Sequence, residues 1–227
     1  DCYLCNEVRN PGRFTMKYFV SQILVIISFA VYTTQNQPKV YDFNVKLIYN
    51  QTVNGYSVTA EWKGYGDGEW GPATIRFSGK KGSFEIFKER FSDPSIYRNG
   101  KMKSRGTMHV DYVPKLQEEI LSEMSPFFFI DIDFDGTDEL IFTNYLNGQR
   151  GYNSYDVYEI KNGSAVLMTG RPYKELDNSP FFSYDKQKKQ LTTGAHGSVF
   201  DSYKLTWRRV DGRLIQVDST QFGKEAR

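Results

Sequence analysis

The sequence predicts a mainly β protein, built of antiparallel hairpins in a propeller-like or irregular sandwich arrangement, with one short amphipathic helix. Three observations lead there. Aromatic residues are abundant, 17 Phe and 16 Tyr in 227 residues, and they fall in short runs mixed with Val, Ile and Thr, which suit a pleated, half-buried surface. Many of those runs alternate apolar and polar residues, the period of a strand with one buried face. Between several of them stand Asn-Gly or Asp-Gly pairs, which accept the positive φ that a tight hairpin turn demands.

Taken in order, residues 16–34 (MKYFVSQILVIISFAVYTT) have the parts of a secretory signal peptide: Met16, one positive charge at Lys17, an apolar run from Ile23 to Val31, then small and polar residues. The run of about nine apolar residues falls short of the roughly 20 that a spanning helix needs. A signal begins at a chain terminus, so residues 1–15 read as an over-long start. That leader holds both cysteines, Cys2 and Cys5, with neither a second ligand pair nor a βαβ pattern beside them, and the spacing carries no metal or redox reading. Residues 35–227 are then a single calcium-binding β domain without cysteine, with a division into two lobes near 90–113 left open. The full chain carries a formal charge of +2; removing residues 1–34 leaves about +1, which gives no general attraction to nucleic acid.

Alternation predicts strands over Tyr41–Asn50, Tyr56–Trp62, Ala73–Gly79 and Gly82–Phe87. The stretch Arg90–Gly106, rich in charge, Gly and Ser, reads as a long loop. Pro114–Met124 reads as the helix, with Pro at its start, acids early, and Leu116, Ile120, Leu121 and Met124 along one face. Further strands are expected at Phe127–Ile132, Glu139–Tyr145, Ser154–Ile160, Ser164–Met168, Lys189–Gly194, Asp201–Val210 and Arg213–Ser219, with turns at Lys161-Asn162-Gly163 and Asp211-Gly212. Successive hairpins of this kind resemble one or two blades of a propeller.

Chemistry concentrates in residues 131–140, DIDFDGTDEL. Carboxylates at alternate positions of a tight loop converge when a glycine lets the chain bend, and six to eight oxygens suit calcium. The expected ligands are the side chains of Asp131, Asp133 and Asp135, the backbone carbonyl of Thr137 and the carboxylate of Glu139, with Asp138 turned to solvent. Strand-like sequence on both sides, and closure by Glu139 at the ninth position, exclude the twelve-residue EF-hand between helices. A solvated acidic turn without metal is the competing reading; apolar runs on either side press the loop toward a core, where unpaired charge is costly.

The pattern D-x-D-x-D-G-x-x-E-L between apolar strands resembles the short calcium loop of FG-GAP repeats, as in integrin α chains, with Glu139 where Asp is usual. A single copy, followed by YNSYDVYEIKNGSAVLM, FFSYDKQKKQLTTG, GAHGS and SYKLTWRRVDGRLIQVDS, is similar to a narrower group of bacterial periplasmic proteins with an incomplete propeller-like fold. The resemblance implies a periplasmic or secreted protein with Ca2+ as its cofactor. It further implies an immunity-type role, in which a protein partner, a lysozyme-like peptidoglycan hydrolase, is bound and inhibited. The surface so implied lies on loops beside the calcium site, Gly148–Tyr155 and Thr193–Ser198, with Tyr152, Tyr155 and His196 as candidate contacts.

Other features carry alternatives. Trp62, Tyr65 and Trp70 surround a glycine-rich turn and would serve a cell-envelope glycan-binding module by stacking on sugar rings, or else pair across a hairpin. Glu118, Glu119 and Glu123 fall on the polar side of the expected helix, where carboxylates face water. Neither His109 nor His196 sits in a nucleophile motif or a metal spacing. No nucleophile, base and orienting group assemble from these motifs, so the chain is not expected to be an enzyme. No nucleic acid and no membrane span after signal removal enter the reading.

Overall fold

The computed structural model describes residues 41–64, 70–93, 105–112, 125–144, 154–176, 179, 182–196 and 202–222. The expected signal segment, the leader before it and the helix at Pro114–Met124 lie outside these residues. The described elements all belong to one compact unit, Tyr41–Arg227.

That unit is mainly β and forms three sheets. The first contains β1 (Phe43–Tyr49), β2 (Tyr56–Gly64), β3 (Gly71–Gly79), β4 (Gly82–Phe91) and β5 (Arg105–Val110), in the order β4-β3-β2-β1-β5. Its first four strands form a meander, and β5 joins its edge parallel to β1, Lys46 opposite Thr107. The middle sheet is a meander of β6 (Phe127–Ile130), β7 (Glu139–Asn144), β8 (Ser154–Lys161) and β9 (Ser164–Leu167). The third repeats that plan with β10 (Phe182–Asp185), β11 (Gln190–His196), β12 (Ser202–Val210) and β13 (Arg213–Phe222), after a 3-10 turn at Tyr173–Leu176. Two consecutive four-stranded meanders match the blade-like hairpins expected, and no described sheet closes into a barrel.

Each turn follows from its sequence. Asn54-Gly55, Asn162-Gly163 and Asp211-Gly212 all take positive φ, at 50° and 83°, 51° and 74°, and 49° and 78°. Such pairs match the right-handed twist of the strands they join.

The core explains why the strand sequences differ. In β2, Tyr56, Val58, Ala60 and Trp62 are buried while Ser57, Glu61 and Lys63 are exposed, as a sheet with one covered face requires. By contrast β6, FFFI, is buried throughout. Phe127 and Phe129, with Leu140 and Phe142 of β7, pack into the core of the first sheet; Phe128, Ile130 and Ile141 pack into a second core with Tyr155, Leu191, Leu205 and Trp207. The middle sheet is therefore covered on both faces, and its uninterrupted apolar run is the sequence trace of that position.

Two expectations require revision. The loop expected over Arg90–Gly106 is shortened at both ends, since β4 runs to Phe91 and β5 begins at Arg105; residues 94–104 lie outside the described residues. In β5 only Met108 and Val110 turn toward the core, between the exposed Thr107 and His109, so the alternation is too short to mark a strand. The four-residue strand β10 and the 3-10 turn were also not anticipated.

Candidate metal centre

The loop Asp131–Asp138 closes the hairpin between β6 and β7, with Ile130 paired to Glu139 at its base. Its shape is set by its own first residue. Asp131 Oδ1 accepts the Asp135 N–H at 2.8 Å, and Oδ2 accepts the Gly136 N–H at 3.0 Å. Asp133 Oδ1 accepts a second bond from the Asp135 N–H at 3.1 Å, and Asp135 Oδ1 accepts the Thr137 N–H at 2.7 Å. Gly136 takes a φ of +91°, which a side chain would resist.

Phe134 also sits at positive φ, 62°. For a bulky residue that conformation costs about 1–3 kcal/mol. Its ring is buried in the second core and stacks on Tyr184 of β10, centroids 5.0 Å apart and planes within 8°. The loop is thereby fastened to the third sheet.

A second fastening comes from β12. Arg209 donates through Nη1 to Asp133 Oδ1 at 2.9 Å and to the Asp133 carbonyl at 2.8 Å. The partners are 76 residues apart, and this residue was not anticipated. One signal for it existed: Arg209 shares the strand parity of Leu205 and Trp207, which face the core.

Of the five expected ligands, the structure brings three together. Carboxylate oxygens of Asp131, Asp133 and Glu139 all lie within 4.8 Å of one another. Asp135 stands outside this trio with its carboxylate on Thr137, and Asp135, Thr137 and Asp138 are exposed. Glu139 is buried, and its Oε2 accepts the Ile132 N–H at 2.9 Å.

Three carboxylates this close repel, and burial worsens the repulsion. Desolvation, then the charge of Asp133, pushes the Glu139 carboxyl up to about 8, against the opposing Ile132 N–H bond. Desolvation followed by Asp135 raises Asp133 too, and Arg209 only partly offsets this. Tyr184 is pushed up to about 12 by burial and by Asp131 and Asp138; Tyr173 moves upward through burial, Asp133 and Glu139. The donor set consists of hard oxygens with more negative charge than Arg209 balances, and it fits a metal cation.

The remaining candidates are dispersed. Trp62 is fully buried at 0% exposure, its ring stacked near Phe43 in the first core. It cannot stack on a sugar; the alternation of β2 places it inward with Val58 and Ala60. Trp70 is half-buried beneath the Arg90 guanidinium, 4.8 Å from the ring centroid, and Tyr65 lies outside the described residues. Tyr155 is buried in the second core at 5% exposure, so it is a packing residue and not the surface contact expected. His196 ends β11, paired with Ser202, while Tyr152 lies outside the described residues. His109 Nδ1 lies 3.0 Å from Asn50 Oδ1 in the first sheet. No helix among the described residues is long and apolar enough to cross a membrane.

No protein-family model matches the sequence, and no curated protein matches it. One solved structure, described as "Structure of a Xanthomonas Type IV Secretion System related protein", aligns with a TM-score of 0.49 at 11% identity. That alignment covers 79% of this chain and 83% of the other.

Proposed function

We propose that this chain is an exported, periplasmic or secreted calcium-binding protein that acts by binding and not by catalysis, its partner a lysozyme-like peptidoglycan hydrolase that it inhibits. The observation that carries the calcium reading is the meeting of Asp131, Asp133 and Glu139 in a loop tied to both neighbouring strands and to the third sheet. These three would hold the ion, with Asp135 and the Thr137 carbonyl as further oxygens. Calcium would supply positive charge where the fold has gathered negative charge, and would brace the loop. The inhibitory role and the identity of the partner rest on the motif's resemblance to single-loop periplasmic proteins of immunity type. Glycan binding through Trp62, Tyr65 and Trp70 is not retained, because Trp62 is a core residue.

Thermal unfolding with calcium, with chelator, and after Asp131→Ala tests the first step. An ion that binds only the native state stabilises it by about 2.7 kcal/mol at a hundredfold excess over Kd. In a unit of this size that corresponds to a rise in Tm of roughly 5–10 °C. The rise is expected in the parent and absent from Asp131→Ala. Clearing of a peptidoglycan suspension by lysozyme, with and without the chain, tests the second; undiminished clearing at excess chain would refute inhibition of that enzyme class.

A further inference from the structure

Beside the metal loop lies a cleft of about 530 Å³. Clefts that take small ligands fall in the range of roughly 300–1,000 Å³. Three tight turns and the loop wall it: Asn54 from the β1–β2 connection, Lys81 from the β3–β4 turn, Asn162 and Gly163 from the β8–β9 turn, and Gly136, Thr137 and Asp138 from the loop. The turns of the first and middle sheets meet there, since a Cβ on Gly82 would stand 3.4 Å from Gly163 Cα. Tyr56, Phe129 and Ile160 line its base; Tyr56 and Phe129 are buried, their rings stacked 5.8 Å apart, and Ile160 is the partly exposed apolar residue.

The rim is electrically mixed. Lys81 and Asp138 are both exposed, and neither forms an ion pair with any described residue. They reach the cleft from different elements. A ligand with one sign of charge would lose at one of them what it gains at the other, whereas a ligand bearing both signs gains twice. The amides of Asn54 and Asn162 and the hydroxyl of Thr137 offer both donors and acceptors, as a peptide main chain requires.

We infer that this cleft binds a short zwitterionic peptide, its carboxylate toward Lys81, its ammonium toward Asp138, and an apolar side chain against Ile160. The inference is independent of the hydrolase partner and does not require the ion. The probe is the tripeptide Ala-Leu-Ala with free termini, titrated into the full chain by calorimetry, in calcium and separately in chelator. Binding in either condition, weakened about tenfold or more when the termini are acetylated and amidated, is the expected result. Lys81→Glu should abolish it, and Lys81→Glu combined with Asp138→Lys should restore it, which a folding defect would not do. Equal binding of the capped peptide, failure of the charge swap to restore affinity, or no heat from the free peptide up to about 10 mM in both conditions would overturn the inference.

Discussion

At the scale of single residues, Glu139 is the group whose chemistry the fold changes most. It begins β7, so its position is fixed by strand pairing, and burial beside Asp133 carries its carboxyl to about 8. A carboxyl whose folded pKa lies above its unfolded value binds more protons when folded, so its protonation stabilises the fold at low pH. That stability is fully present below about pH 4.5 and is lost as the pH rises through about 8. A cation reverses the preference, because it needs the carboxylate. In chelator, Tm is therefore expected to fall between about pH 5 and pH 9. The gain on adding calcium should grow over the same interval. Glu139→Gln keeps the size of the side chain but does not titrate, and differential scanning calorimetry of that variant should show a flatter profile in chelator and a much smaller calcium response. An unchanged slope would mean that Glu139 does not govern it.

At the scale of elements, the contact between the first and middle sheets contains a charge. Lys88 of β4 is buried, its ammonium 5.4 Å from the centre of the Phe142 ring and paired with Asp156 of β8. Removing one partner of a buried pair leaves an uncompensated charge, whereas replacing both by apolar groups costs little. Asp156 is partly exposed, so Asp156→Ala should lower stability to urea by about 1–2 kcal/mol, and Lys88→Met in the same chain should recover most of that. Additive losses in the double variant would show that the pair is not what joins β4 to β8.

The same scale shows what was legible in the sequence. Hairpins whose two faces differ announce themselves, so β1 to β4, β8, β12 and the turns at Asn162-Gly163 and Asp211-Gly212 could be read from alternation and turn chemistry. The loop at Asp131–Glu139 was legible for the same reason, since its geometry is local. What failed to show was whatever depends on distant partners. The parallel edge strand β5 covers only Met108 and Val110, and Arg209 meets Asp133 across 76 residues. Trp62 was legible through the alternation of β2, where it keeps the inward parity of Tyr56, Val58 and Ala60, as the hairpin alternative to glycan binding has it.

At the scale of the whole molecule, the two cores share the middle sheet, and the acidic loop Asp131–Asp138 is the hairpin tip of that sheet. Alternate residues of β6 and β7 enter opposite cores. The loop's fastenings are not shared equally, because Phe134 and Arg209 both engage the third sheet, through Tyr184 and through β12. An ion at Asp131, Asp133 and Glu139 would therefore act first on the second core, and through β6 and β7 on the first. Amides open in cooperative groups, and a ligand raises the opening energy of those whose opening destroys its site. Hydrogen exchange followed by mass spectrometry should accordingly show chelation speeding exchange in β6, β7, β10 and β12 before β2 and β3. Phe134→Ala, which removes the stacked ring while leaving every carboxylate, should bring exchange in β10 in calcium close to its rate in chelator. Equal acceleration in all three sheets would mean that the unit opens only as a whole; acceleration confined to the loop would mean that the ion braces nothing beyond it.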